Sequence, residues 1–87
     1  MDAQTREDLE RLATRVADDW EGGLMSHCLL SCMSDDLPLD PLERFTRQTA
    51  MIQALGFQLP TQMYHWNDKP GRTRDQVLAR VKGALNR

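Results

Sequence analysis

Leu9-Glu10-Arg11-Leu12-Ala13-Thr14-Arg15-Val16-Ala17-Asp18-Asp19-Trp20 is the stretch that decides the fold class. Leu9, Leu12, Ala13, Val16, Ala17 and Trp20 stand at i, i+3, i+4, i+7, i+8 and i+11, which is one face of an α-helix. Arg6, Asp8, Glu10, Arg11, Arg15 and Asp18 fall mostly on the other faces. Thr5 is predicted to cap this helix, with Glu7 and Asp8 set in its first turn against the dipole. Gly22-Gly23 is predicted to end it.

Downstream, Met25, Cys28, Leu29, Cys32 and Met33 repeat the spacing and predict a short buried helix over 24–34. A strand is the competing reading, because periodicity alone does not decide so short an apolar run. Ser34-Asp35-Asp36-Leu37-Pro38 reads as a polar exit into a loop. Asp40-Pro41 is a start signal, with Asp at the cap and Pro at the first helical position. Leu42, Phe45, Thr49, Ile52 and Leu55 are predicted to line the inner side of that third helix. Gly56 falls where a left-handed C-terminal residue belongs, and Phe57 and Leu59 can fold back on the last turn before Pro60.

The segment from Thr61 to Trp66 fits a single helical turn that places Met63 beside Trp66. Thr73-Arg74-Asp75-Gln76 is a capping box, in which Thr73 accepts from the Gln76 amide and Gln76 reaches back. Val77, Leu78, Val81, Ala84 and Leu85 then form the stripe of a last helix, and Gly83 is read as a mark of close helix crossing. The fold expected is all-α: one domain over residues 1–87, a compact bundle of four to five short helices.

Composition agrees. Eighty-seven residues suit one core, with a stability of about 4–9 kcal/mol. Leu, Met and Ala dominate the apolar residues and β-branched ones are few, which favours helices over strands. No apolar run approaches the roughly 20 residues that cross a bilayer. The N-terminus is acidic and helical in pattern, unlike a signal peptide. Two cysteines four apart on a helix lie parallel and make a poor disulfide. A reducing cytoplasm is the simplest compartment.

The net charge of −2 hides a strong asymmetry. Residues 1–43 carry eleven acids against three arginines, while residues 69–87 carry six bases against Asp75 alone. Either the two ends pack and their faces attract, or the basic end meets an acidic partner or a phosphate backbone. An acidic half of comparable size argues against non-specific coating of DNA.

Trp66-Asn67-Asp68-Lys69-Pro70-Gly71-Arg72-Thr73 joins an aromatic anchor, a turn pair and a helix cap to cationic side chains. Asn67 and Asp68 can bond their own downstream amides, and Trp66 can bury its ring while its indole N–H finds a carbonyl. With Val77-Leu78 this stretch resembles the "WND-x-PGRT-x-x-x-VL" ending of a family of small bacterial and phage-related proteins, a domain of unknown function. The match covers about the last 22 residues. Trp20 and Cys28-Leu29-Leu30 echo a Trp and a cysteine-containing apolar segment found upstream in that family. The resemblance implies a mobile-element setting and no particular chemistry.

Candidate chemistry is sparse. Gly71, Arg72 and Thr73 stand at a helix N-terminus with Lys69 and Arg74 adjacent, where an anion can dock, although the P-loop pattern is missing. Of the soft metal ligands, Cys28 and Cys32 share a helical face, but His27 points roughly 100° away from Cys28 and His65 is remote in sequence. Buried thiols acting as small hydrophobes explain the pair better, so no metal or cofactor is expected. Cys28 with His65 and Asp68 makes a poor nucleophile in mid-core, so no enzymatic activity is expected.

The leading expectation is therefore a non-enzymatic protein-binding module, an inhibitor or adaptor of phage or mobile-element type that docks on a host complex. Its acidic contacts would be Asp18, Asp19, Glu21, Asp35 and Asp36, acting as a charge mimic. Its basic contacts would be Lys69, Arg72, Thr73, Arg74 and Arg80. The alternative is a small DNA-binding transcriptional regulator using Arg74, Arg80, Lys82 and Arg87 of the last helix, although the preceding turn is longer than the 3–4 residues usual in a helix-turn-helix. A homodimer would cover any apolar face left open.

Overall fold

The described residues fold as an all-α bundle of five helices. The computed structural model describes residues 1–21 and 28–87, and among them there is no strand. The helices are α1 (Ala3–Asp19), α2 (Leu29–Asp35), α3 (Pro41–Ala54), α4 (Pro60–Asn67) and α5 (Arg74–Leu85). The Gly22-Gly23 stop, Met25 and His27 lie outside the described residues.

Local signals set most of the starts. Asp40 caps α3 by accepting from the Glu43 amide at 3.0 Å, with Pro41 in the first turn. Thr73 caps α5: its hydroxyl accepts from the Gln76 amide at 3.2 Å, and Gln76 Oε1 accepts from the Thr73 amide at 3.1 Å. Gly56, at φ +95°, takes the left-handed position after α3. The cap of α1 is Asp2, not Thr5: its carboxylate accepts from the Thr5 amide at 2.7 Å, and Thr5 is buried inside the first turn. Asp35 continues α2 one residue past the expected end at Ser34, and α4 runs to eight residues where a single turn was expected.

One hydrophobic cluster joins the helices. α1 contributes Leu9, Leu12, Val16 and Trp20; α2 contributes Leu29, Cys32 and Met33; α3 contributes Met51, Ile52 and the adjoining Leu55. Met63 enters from α4, and Val77, Val81 and Ala84 enter from α5. Burying each such Leu or Val stabilises the fold by about 1.5–3 kcal/mol before conformational entropy is counted. α1 runs antiparallel to α5, since Arg6 at its start reaches Leu85 and Trp20 at its end meets Arg74.

The inner face of α3 differs from the expected one. Leu42 and Phe45 are 75% and 66% exposed, whereas Ile52 and Leu55 are buried where expected, and the inward stripe is extended by Arg44, Arg47, Gln48 and Met51. The first half of this stripe is polar because it faces polar groups. Arg47 clasps the buried Asp8 of α1 through Nε and Nη2 at 3.0 and 2.7 Å, and Gln48 donates to Ser34 Oγ at 2.7 Å. Gly83 marks no close crossing, because a Cβ there would meet nothing within 4 Å.

Candidate functional site

Arginines finish every helix. An α-helix leaves its last carbonyls without intrahelical donors, and they carry the negative end of the dipole. Arg74 donates from Nη2 to the Trp20 carbonyl at the end of α1 (3.1 Å). Arg44 donates to the Ser34 carbonyl in the last turn of α2 and to the Leu37 carbonyl just beyond it (3.2 and 3.3 Å). Arg80 Nε reaches the Leu55 carbonyl at the end of α3 (2.9 Å), and Arg72 Nε reaches the Trp66 carbonyl in the last turn of α4 (2.9 Å). Arg6 closes α5 at the Leu85 carbonyl (3.0 Å). Each guanidinium comes from outside the helix it finishes, so these bonds tie elements together as well as neutralising their ends.

Three more arginines pair with acids. Arg47 and Arg11 share Asp8, both within 2.8 Å, and Asp8 is only 4% exposed. Burial pushes the Asp8 carboxyl up, but the hydrogen bonds from Arg47 and Gln4 and the charges of Arg47 and Arg11 outweigh it and hold the group below the usual carboxylate range. Arg15 binds Asp36 in a two-pronged pair at 3.0 and 3.0 Å and Asp19 at 3.2 Å. Asp36 is held low chiefly by those Arg15 hydrogen bonds.

The acidic residues predicted as a docking surface do come together. Asp18, Asp19, Glu21 and Asp35 line one open depression beside Arg74, while Asp36 lies across Arg15 on the neighbouring side. Asp19 and Asp36 are partly neutralised by Arg15, which reduces the negative charge this patch presents.

The basic residues divide. The Thr73 hydroxyl and Gln76 are engaged with each other, Arg74 leans across to Trp20, and Arg72 turns onto the Trp66 ring with its Cζ 4.1 Å from the centroid. Of the cations expected at that helix N-terminus, Arg72 and Arg74 are thus engaged on the Trp66 and Trp20 carbonyls. A different cluster forms instead. The Arg80 Cζ lies 4.1 Å from the Phe57 centroid and 4.8 Å from that of Trp66, and the two rings are 5.9 Å apart. Arg87 was expected only as part of a flank, yet its Nη2 lies within 4.0 Å of the place where a Cβ on Gly56 would stand, and that of Arg80 within 3.3 Å. Burial, with the charges of Arg72 and Arg87, holds the Arg80 guanidinium below its ordinary value.

An apolar surface missed by the pattern reading completes the picture. Leu39, Leu42 and Phe45 are 87%, 75% and 66% exposed, on the loop before α3 and its first two turns. Asp40 and Glu43 alternate with them, and Asp35 and Asp36 precede them in the chain. The exposure of Leu39 was legible from the flanking Pro38 and Asp40; that of Leu42 and Phe45 was not.

Cys28 and Cys32 are both thiols. Burial, then the charges of Asp35 and Asp19, push the Cys32 thiol up to about 12, far from the range of a reactive thiolate. Among the described residues no group of three His, Cys, Asp or Glu side chains is placed to hold a metal ion, and no helix is long and apolar enough to cross a membrane. The small cavity lined by Asp8, Arg11, Cys32 and Met51 measures about 10 Å³, the room of a single water. Compared with family models, with curated proteins and with solved structures, the chain matches none.

Proposed function

We propose that this protein is a non-enzymatic protein-binding module that docks on a macromolecular complex through the Leu39–Leu42–Phe45 ridge and its acidic border. The observation that carries the reading is the exposure of these three large apolar side chains within seven residues. Exposed apolar area of this kind, rimmed by charge, is the usual mark of a docking surface. Asp40 and Glu43 alternate with the ridge residues in the chain and Asp35 and Asp36 precede them, while Asp18, Asp19 and Glu21 line a depression with Asp35. Of these acids, Asp36 and Glu43 are paired with Arg15 and Arg47. A partner that fits offers an apolar pocket with a basic rim. The acids then steer encounter and choose the partner, while the ridge supplies affinity. An inhibitor or adaptor of a mobile element, as the WND-x-PGRT ending suggests, belongs to the same proposal.

The reading is tested by comparing the wild-type chain with a Leu42→Asp, Phe45→Asp double variant in affinity purification from the native host. A partner retained by the first and lost by the second supports it, provided both have the same helical circular dichroism. Equal retention would reject the ridge, and a monomer–dimer equilibrium abolished by the double variant would make the ridge a self-interface. Reversing Asp35 and Asp36 to Lys should steepen the loss at low salt and matter less at high salt. Against the DNA-binding alternative stands the inward folding of Arg72, Arg74 and Arg80, each engaged on a carbonyl.

A further inference from the structure

The geometry points to an anion site formed by Arg80 and Arg87 beside Gly56, with Arg72 adding charge from the Trp66 ring, whose ligand is a phosphomonoester-type dianion. Elsewhere in the described structure, clustered arginines come with carboxylates: Arg11, Arg15 and Arg47 all have acids within ion-pair distance. Here, among the described residues, no carboxylate lies within that distance of Arg72, Arg80 or Arg87. Arg80 commits Nε to Leu55, and Arg72 commits Nε to Trp66 and Nη1 to Gln76. The terminal nitrogens of Arg80 and Arg87 are left for an oxyanion, and the two Nη2 atoms lie 3.3 and 4.0 Å from the place where a Cβ on Gly56 would stand.

The end of α3 opposes an anion here, but its dipole amounts to roughly half a negative charge, against three guanidinium charges. Leu55 O, at the end of that helix, already accepts from Arg80. Guanidinium forks match phosphate oxygens in pairs, and a dianion offsets more of the mutual repulsion than a monoanion does. A compact ligand is favoured over a nucleic-acid strand, because guanidinium groups cover the Trp66 ring on which a base would stack. The site is separate from the apolar ridge, so Leu42→Asp should leave it intact.

The test is an NMR titration of the full chain, labelled at arginine side chains and at both tryptophan indoles. Inorganic phosphate and phosphoserine amide are added separately at constant ionic strength, with a single-stranded oligonucleotide as the third arm. Saturable shifts of Arg80, Arg87 and the Trp66 indole, with Trp20 unmoved, are expected for the first two. If both ligands saturate, the phosphoryl group is the recognised element; if only one does, it identifies the source. Arg87→Gln should weaken binding about tenfold, because it removes one charge-assisted contact without touching a helix cap. Shifts that never saturate, shifts spread equally over Arg6 and Arg11, or an Arg87→Gln titration matching wild type would overturn the site. Tighter binding of the oligonucleotide through these arginines would overturn the ligand class.

Discussion

The indole N–H of Trp20 donates to Asn67 Oδ1 at 2.7 Å, joining the end of α1 to the end of α4 across 47 positions of chain. The same oxygen accepts from the Leu29 amide at 3.2 Å, so one buried amide also caps the start of α2. Asn67 is 2% exposed, and its Nδ2 donates to Asp68 Oδ1 at 3.0 Å. Replacing Asn67 with Leu strands two buried donors, and the expected cost is about 2–4 kcal/mol in urea unfolding. A loss below about 0.5 kcal/mol, the range of an ordinary surface change, would show that water satisfies both donors.

The Asp8 cluster should govern the acid limb of stability. The folded Asp8 carboxyl is held below its unfolded value, so its contribution is complete above about pH 4 and is lost as pH falls through the lower folded value. Asp8→Asn should cost about 3 kcal/mol at pH 7, because it leaves Arg47 without its carboxylate. The variant should also lose less stability than wild type between pH 4 and 2. Equilibrium unfolding at several pH values measures both effects.

Two glycines should respond with opposite sign. Gly56 sits at φ +95°, with Arg80 Nη2 only 3.3 Å from a built Cβ, so Gly56→Ala should destabilise by about 1–2 kcal/mol. Gly83 lies within α5 with open space around it, and Gly83→Ala should stabilise by about 0.5–1 kcal/mol. Thermal or urea melts of the pair, side by side, decide the matter.

Exposure separates the two kinds of leucine. Leu9 is fully buried, and Leu9→Ala should cost about 2–5 kcal/mol. Leu42→Ser should stay within about 0.5 kcal/mol, since its side chain is already in water. A loss at Leu42 that grows with protein concentration would mean that the ridge is covered by another copy of the chain.

These contrasts also show what the sequence made legible. The Asp40-Pro41 start, the Thr73–Gln76 box and the Gly56 stop are local, set by groups within four residues, and each is found in place. The inward face of α5 follows its apolar stripe, and that of α1 does so at Leu9, Leu12, Val16 and Trp20, while Ala17 is exposed and Asp8 is buried. α3 breaks the rule: Arg44, Arg47 and Gln48 occupy the inner stripe where they meet the carbonyls at the end of α2, Asp8 and Ser34. Their partners lie outside α3, 6 to 39 residues away, so no periodicity could announce them. The same holds for the five arginines at helix ends, since whether a guanidinium meets solvent or a distant carbonyl depends on how the helices assemble. The acidic patch was legible as composition; the Arg80–Arg87 pair beside Gly56 was not.

The most direct measurement is photo-crosslinking in the native host from a benzoyl-phenylalanine placed at position 45, compared with one placed at Lys69. Capture of a single protein from position 45 and not from 69, abolished by Leu42→Asp, is the predicted result. Equal or absent capture from the two positions would contradict the assignment of the ridge as the docking surface.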